Sequence, residues 1–331
     1  MGHLVELRSK HAVLTGGAGF IGSHLSDALL DRGNTVTCVD NLVGTAGSTR
    51  NVDHVLDHPR FRLVTENVLD WTERADLAGV DCVFHLAASK NSVALGDPEN
   101  DLTVNALGTL RLLLRAARDG VSKFVYASTG SVFGDTSSEH VEDGPKHPVS
   151  VYGISKLAGE SYCRVVGGIF GLDYTVLRYY HVIGPRQDAS DHGGVVPIFV
   201  RRGLEERPLR IYGSGEQTRS FTSVRDVVQA TMLAATSDQM RHEYFNCASG
   251  ISVSIQDLAD FVLVETGSAQ GIEYAPARPG DIQRFAVDNT KLRRIGVEFD
   301  TDWRSIVREV IASLDPTASG VSRTRSSAAF E

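Results

Sequence analysis

A doubly wound α/β fold built on a parallel sheet is what this sequence predicts, and three observations carry the prediction. Short apolar runs alternate with stretches of helical periodicity from residue 12 to residue 178, the pattern of repeated strand–helix–strand units. The apolar runs are continuous rather than alternating, as strands covered on both faces must be. The first run passes straight into a glycine cluster that opens a helix.

Ala12 to Thr15 reads as the first strand. Ile21 to Arg32 follows as a helix, with Ile21, Leu25, Ala28 and Leu29 on one face and Gly33 as its stop. Thr35 to Val39 and Arg62 to Val64 are the next strands, and Asp81 to Leu86 and Lys123 to Ala127 are buried ones. Val104 to Arg118 and Val151 to Phe170 have helical spacing, and Leu172 to Arg178 adds another strand. Beyond it the pattern breaks up at Gly-Pro and Gly-Gly turns, leaving isolated helices at Val195 to Arg202, Val224 to Thr236 and Ile255 to Glu265. There is no internal repeat.

Composition narrows the function classes. With 331 residues, 42% hydrophobic and 22% charged, the chain has globular composition and enough length for a sizeable core. A net charge of −8 argues against a nucleic-acid binder, which needs a basic face. Cys38, Cys82, Cys163 and Cys247 lack metal-ligand spacing and read as reduced thiols, so no metal is expected and the expected location is the cytoplasm. No run approaches the ~20 apolar residues of a membrane span.

Gly17-Ala18-Gly19-Phe20-Ile21-Gly22 has the G-x-G-x-x-G form, placed after a strand and at a helix start. Glycines there let the backbone turn tightly and approach a pyrophosphate, which the helix N-terminus attracts. Asp40 ends the second strand, where a carboxylate accepts hydrogen bonds from a ribose and repels a 2′-phosphate, favouring NAD over NADP. Tyr152 and Lys156 are four apart on a helix and share a face. A nearby ammonium stabilises phenolate, and bringing a tyrosine from about 10 to near 7 takes roughly 4 kcal/mol. Ser128-Thr129-Gly130-Ser131 follows a strand at the end where parallel sheets bind ligands, so a hydroxyl there orients a substrate hydroxyl beside Tyr152. The chain divides accordingly: 1–178 as an NAD-binding Rossmann region to which pieces around 210–250 return, 179–315 as a smaller discontinuous substrate region, and 316–331 as a Ser/Thr/Arg/Ala-rich tail expected to be disordered.

With these motifs the chain resembles the extended short-chain dehydrogenase/reductases, in the NAD-dependent epimerase/dehydratase family. The matching stretches include Thr15 to Leu25, His85-Leu86-Ala87-Ala88, Ser128 to Gly134, Tyr152-Gly153-Ile154-Ser155-Lys156, Gly184-Pro185-Arg186-Gln187, Arg219-Ser220-Phe221-Thr222 and Arg278-Pro279-Gly280-Asp281. The resemblance implies NAD as cofactor, a nucleotide sugar as substrate and a homodimer through the helices around Val104 to Arg118 and Val151 to Phe170. It implies that Gly16, Gly19, Phe20, Ile21 and Gly22 line the cofactor phosphates, and that Asp40, Asn41, Asn67 and Val68 meet its adenosine end. Leu86, Ala87, Ala88, Lys90, Asn105, Tyr152, Lys156 and Tyr179 complete its site. On the substrate side it implies Lys90, Thr129, Ser131, Tyr152, His181, Val195, Arg210 and Tyr212. Arg219 and Arg278 would hold the diphosphate, and Asp281 a ribose. Ser128, Thr129, Tyr152 and Lys156 are the implied catalytic set.

Within the family, dehydratases carry Asp-Glu after the active-site Thr, and decarboxylases a Glu two residues after it. Here Gly130-Ser131-Val132 follow Thr129. Subtraction leaves 4-epimerisation of a UDP-hexose, with UDP-glucose and UDP-galactose favoured. UDP-glucuronate epimerases, and a dehydratase, decarboxylase or reductase, are the alternatives; Asp188, after Gly-Pro-Arg-Gln, would repel a uronate carboxylate. Phe285 stands where a residue gates the sugar 2-substituent. His181 and Gly194 replace asparagines expected near the nucleotide, and Asn67 replaces an aspartate near the adenine.

Overall fold

The computed structural model describes residues 9–45, 48–90, 94–277 and 282–315. Arg278, Asp281 and the tail 316–331 lie outside the described residues.

The first strand, β1 (His11–Thr15), pairs in parallel with β2 (Thr35–Asp40) on one side and β4 (Cys82–His85) on the other. β3 (Phe61–Thr65) continues from β2, while β5 (Lys123–Thr129), β6 (Asp173–Tyr179) and a strand at Glu243–Cys247 continue from β4, all parallel. The chain therefore winds outward in both directions from β1, and the crevice between the β1 and β4 carboxyl ends is where such sheets bind ligands. The four residues of β4 are all buried, which explains why their sequence shows no alternation.

Helices cover both faces. On one, Leu25 and Leu29 of α1 (Phe20–Asp31), both 0% exposed, pack with Val227 and Ala230 of the helix Val224–Ala234. On the other, Trp71 of α2 (Val68–Arg74) packs with Leu112, Leu113, Cys163 and Val166. A third core joins the helices Val195–Leu204, Ile255–Thr266 and Trp303–Leu314 through Phe199, Leu258, Val262 and Ile306. A small fourth cluster, including Phe133, Tyr180 and Phe285, lies beside the carboxyl end of the sheet. Among the described residues no helix is long and apolar enough to cross a membrane.

Among the elements that differ from the sequence reading, two bear on the site. The helix expected from Val104 starts at Pro98, capped by Asp97, whose side chain accepts from Asn100 N. This helix, α3, runs through Pro98–Asp101, a π-helical stretch Leu102–Gly108, and Thr109–Arg118. Its polar start hides the helical period, and the π stretch breaks it. The strand read as Lys123 to Ala127 extends through Thr129, because Ser128 and Thr129 pair with Arg178 and Tyr179 of β6.

The helix α4 (Val151–Phe170) carries both Tyr152 and Lys156. Ser150 caps it by accepting from Gly153 N, and Gly171 ends it at φ +72. Gly159 lets it lie directly on the Tyr126 hydroxyl, where a Cβ would collide. A buried ion pair then pins it: Arg178 on β6 donates to both Glu160 oxygens at 2.9 and 2.8 Å, with side-chain exposures of 2% and 3%. The guanidinium also donates to the Glu142 carbonyl at 2.9 Å.

Glu160→Ala leaves that guanidinium buried without its partner, and urea unfolding is expected to show a loss of ~3–5 kcal/mol. A loss below ~1 kcal/mol, the range of an exposed pair, would show that the pair does not pin the helix.

Candidate active site

The turn between β1 and α1 is shaped for a close-lying ligand. Gly16 has φ +73, and a Cβ there would lie 2.7 Å from the Ala87 nitrogen. A Cβ at Gly22 would collide with the Gly16 carbonyl. Helix α1 starts at Phe20 behind Gly19, with no side chain capping its end, so Phe20, Ile21 and Gly22 present free first-turn N–H groups. Asp40, at the end of β2, accepts from Ala18 N at 3.0 Å and Leu42 N at 2.8 Å; burial raises its pKa while these bonds lower it. A cavity of about 1270 Å³ is lined among others by Asn41, Asn67, Ala88, Lys90, Arg186 and Asp188. A cradle without side chains, a helix N-terminus and a strand-end carboxylate are the donor and acceptor set that a dinucleotide needs, so the residues present fit NAD.

Several expected cofactor residues are engaged with the protein itself. Asn105 is 0% exposed: its oxygen accepts from Ser89 N at 2.8 Å and its amide donates to Ser89 O at 3.2 Å and Asp101 at 2.9 Å. It braces the 88–90 loop and is not exposed to contact a ligand. Val68 is buried in the core, while Asn67 caps α2 by accepting from Leu69 N at 2.9 Å. Leu86 continues β4 with its N–H donated to Thr15 O at 3.0 Å, and Ala87 follows against Gly16. Tyr179 is 9% exposed and shares a hydrogen bond with Thr231 at 2.7 Å. Lys90 is ion-paired with Asp188 at 3.0 Å; against burial, the Ser190 N–H and then Lys90 hold the Asp188 carboxyl below its usual range.

At the sheet's carboxyl end Thr129 meets Tyr152, and Lys156 stands one turn further along α4; the Tyr152 pKa is raised, against the lowering expected from the lysine. Burial pushes the Tyr152 phenol up to about 12 and the Asp101 charge pushes the same way, while a hydrogen bond with Thr129 opposes them. The Lys156 ammonium sits 4.2 Å from the centre of the Tyr126 ring; burial lowers it to about 8, against the pull of Cys163, Glu160 and Asp101. Thr129 also accepts from Ser131 N at 3.2 Å and donates to the Ser131 hydroxyl at 3.3 Å. Ser128 departs from expectation. Its hydroxyl donates to Glu160 at 2.6 Å and the residue is 3% exposed, so it belongs to the ion-pair clamp and is not presented to a substrate.

The substrate-side residues spread further. His181 is held at φ +33, its ring 4.5 Å from that of Phe285. Burial, then the Arg219 charge, lowers its pKa well below the usual value. Arg219 is 9% exposed, donates to Ile282 O at 2.8 Å and lies 5.5 Å above the Phe285 ring. Val195 starts the helix that follows Gly194. Arg210 and Tyr212 lie on the strand Leu209–Tyr212, and Arg210 faces Glu273 at 3.6 Å with both side chains half exposed.

The fold and these motifs are shared with known proteins. Residues 12–248 match the NAD dependent epimerase/dehydratase family. The chain belongs to that family. Its relatives include a UDP-glucose 4-epimerase of Mycolicibacterium smegmatis, 36% identical over 86% of this chain and 91% of the relative. A dTDP-glucose 4,6-dehydratase of Streptomyces griseus is 34% identical over 86% of this chain and 88% of its own. Among solved structures, the UDP-glucuronic acid 4-epimerase of Bacillus cereus in complex with UDP-glucuronic acid and NAD superposes with a TM-score of 0.85 at 29% identity, covering 92% of this chain and 98% of that one. As in the rest of this family, the cofactor is NAD.

Sequence reasoning passed over Asp101, His85 and Glu160. His85 is 0% exposed and bridges Thr15 at 2.7 Å and Thr109 at 2.9 Å; burial lowers it to about 3, so the ring is neutral and ties β1 to α3. Glu160, four residues after Lys156, was the signal available: a carboxylate one turn further along the same helix face.

Two outcomes are expected. Gly16→Ala forces a Cβ into the 86–87 backbone at a positive φ, so NAD titration by fluorescence should show binding lost while the thermal melt stays cooperative; unchanged affinity would contradict the cradle. Because Lys156 titrates near 8, its ammonium is lost as pH rises through that value. Turnover should therefore fall above about pH 8 in a pH–rate profile, and a rate that holds well into the alkaline range would contradict its cationic role.

Proposed function

We propose that this member of the family is a nucleotide-sugar 4-epimerase that inverts C4 of a UDP-hexose, with UDP-glucose and UDP-galactose as the favoured pair. The observation that carries the reading is the ground just beyond Thr129. A Cβ at position 130 would overlap the ring of Tyr180, so this position rejects any side chain. Ser131 and the buried Val132 follow. No carboxylate stands at the three positions after Thr129, and eliminating water or carbon dioxide asks for more acid–base machinery than inverting one carbinol.

Thr129 holds the sugar 4-hydroxyl and Tyr152, as phenolate, takes its proton. Lys156 is to stabilise the phenolate by charge, against the burial that raises the Tyr152 phenol to about 12. NAD, when bound, supplies the hydride acceptor for C4 and the donor that returns it. Tyr152 then gives its proton back to the reoriented 4-keto sugar, so nothing is consumed. Arg219, with Arg278 and Asp281, holds the nucleotide, since guanidinium groups match phosphate bidentately.

One observation favours a second reading, a UDP-glucuronate 4-epimerase. Asp188, which would repel a uronate when free, is matched by Lys90 at 3.0 Å. The reading extends to a homodimer: Leu107, Leu114, Ile154, Val165, Ile169 and Phe170, on α3 and α4, are all exposed, and such apolar surface marks an interface.

The test incubates the chain, without added NAD, with UDP-glucose, UDP-galactose, UDP-N-acetylglucosamine and UDP-glucuronate separately. An isomer of unchanged mass is expected with the first two; loss of water or carbon dioxide would overturn the reading, and isomerisation of the glucuronate alone would select the second. Tyr152→Phe should cut turnover by about 10²–10⁴-fold while NAD binding stays near that of the parent.

A further inference from the structure

We propose that Asp101 is a positioning residue for the Tyr152–Lys156 pair, an ionised and wholly buried carboxylate that serves as the counter-ion of the Lys156 ammonium. The inference rests on the reading of those two residues as the acid–base pair.

Asp101 is 0% exposed and closes the first stretch of α3, where the helix passes into its π-helical stretch. Single π turns occur chiefly at functional sites. That stretch packs against α4. Asn105, on the π stretch, donates to Asp101 Oδ2 at 2.9 Å and to the Ser155 hydroxyl at 3.2 Å. Ser155 in turn donates to the Tyr152 carbonyl at 3.0 Å. One amide thus ties the carboxylate to the turn of α4 that holds both catalytic side chains. The other oxygen, Oδ1, is buried with no hydrogen-bond partner among the described residues. A buried carboxylate with an open acceptor calls for a cation.

Glu160 and Asp101 both favour the Lys156 ammonium, and of the two Asp101 has no guanidinium of its own. Glu160 has both oxygens on Arg178. Burial keeps the Cys163 thiol protonated, and burial likewise keeps His85 neutral. Tyr126 offers only its ring face. Burial raises the Asp101 carboxyl above its usual range, while Ser155, then the Lys156 ammonium, then Asn105 favour its charged form.

The sign of the effect follows from charge. An anion beside Lys156 favours the ammonium, and the same anion disfavours the Tyr152 phenolate. Removing it should therefore move both titrations toward acid. A purely structural role for Asp101 would lower the rate without moving either one.

The experiment uses the full NAD-loaded chain and its Asp101→Asn, Asp101→Glu and Tyr152→Phe variants. The tyrosinate absorbance of the parent, less that of Tyr152→Phe, isolates the Tyr152 titration. The same difference is taken in the Asp101→Asn background. The midpoint is expected to move to lower pH in Asp101→Asn and to return toward the parent in Asp101→Glu. The pH–rate profile, where turnover is found, should shift both limbs the same way. A folded Asp101→Asn variant with an unmoved midpoint overturns the proposal, as does a rate loss with an unmoved profile. Should Asp101→Asn fail to fold, Asp101→Ser is titrated in its place with the same expectation. The absorbance titration needs no turnover, so failure of the epimerase reading, seen as absence of isomerisation by the parent, is separate from failure of this one.

Discussion

The clamp between Glu160 and Arg178 is the interaction on which the arrangement of the site depends. Lys156 and Glu160 are one turn apart on α4, so fixing the carboxylate on β6 fixes the lysine over β5. The two-oxygen pairing at 2.9 and 2.8 Å sets both the distance and the rotation of the helix, which a single contact would not. Ser128 joins the same carboxylate at 2.6 Å, drawing the strand end into register, and its neighbour Thr129 then points toward Tyr152. A pair buried this deeply is costly to desolvate and adds little net stability over well-packed apolar residues. What it supplies is position.

The cofactor side is built on a different device, the absence of side chains. Gly16 and Gly22 are positions where a Cβ would strike backbone, so strand, turn and helix pack more closely than any other residue permits. Behind this surface runs a neutral hydrogen-bonded seam from Thr15 through His85 and Thr109 to the Asn105 carbonyl. It links β1, β4 and α3 across the switch point of the sheet. Because burial, and then the Lys156 charge, hold the His85 ring neutral, the seam stays intact across physiological pH. Asn105 is the junction at which this support meets the turn of α4 that carries Tyr152 and Ser155.

Most of the fold was legible because its signals are local. The glycine turn, the apolar strands and the period of α4 depend on neighbours in sequence, and the positions of Thr129, Tyr152 and Lys156 follow from strand ends and helical spacing. The edge strand Glu243–Cys247 falls among the pieces around 210–250 read as returning to the Rossmann region, but its bounds were not legible, since its first two residues are only partly buried. The start of α3 was hidden by the polar run Pro98–Asp101, whose helicity rests on the Asp97 cap and on packing against α4. Ser128 and Asn105 were read as contacts because residue type at a strand end or in a motif cannot tell a group facing a ligand from one facing the core.

The sequence by itself determined the class of fold and NAD as the cofactor, and it singled out Tyr152 and Lys156 as candidates, because each is written in spacings of a few residues. Tertiary structure alone decided which polar groups face the cavity and which hold it up. Asp101, His85, Glu160 and Arg178 are far from Tyr152 or Lys156 in chain order or carry no motif, and burial makes them matter. A charge or hydrogen bond gains its strength from loss of water, and desolvation is a property of the packed chain.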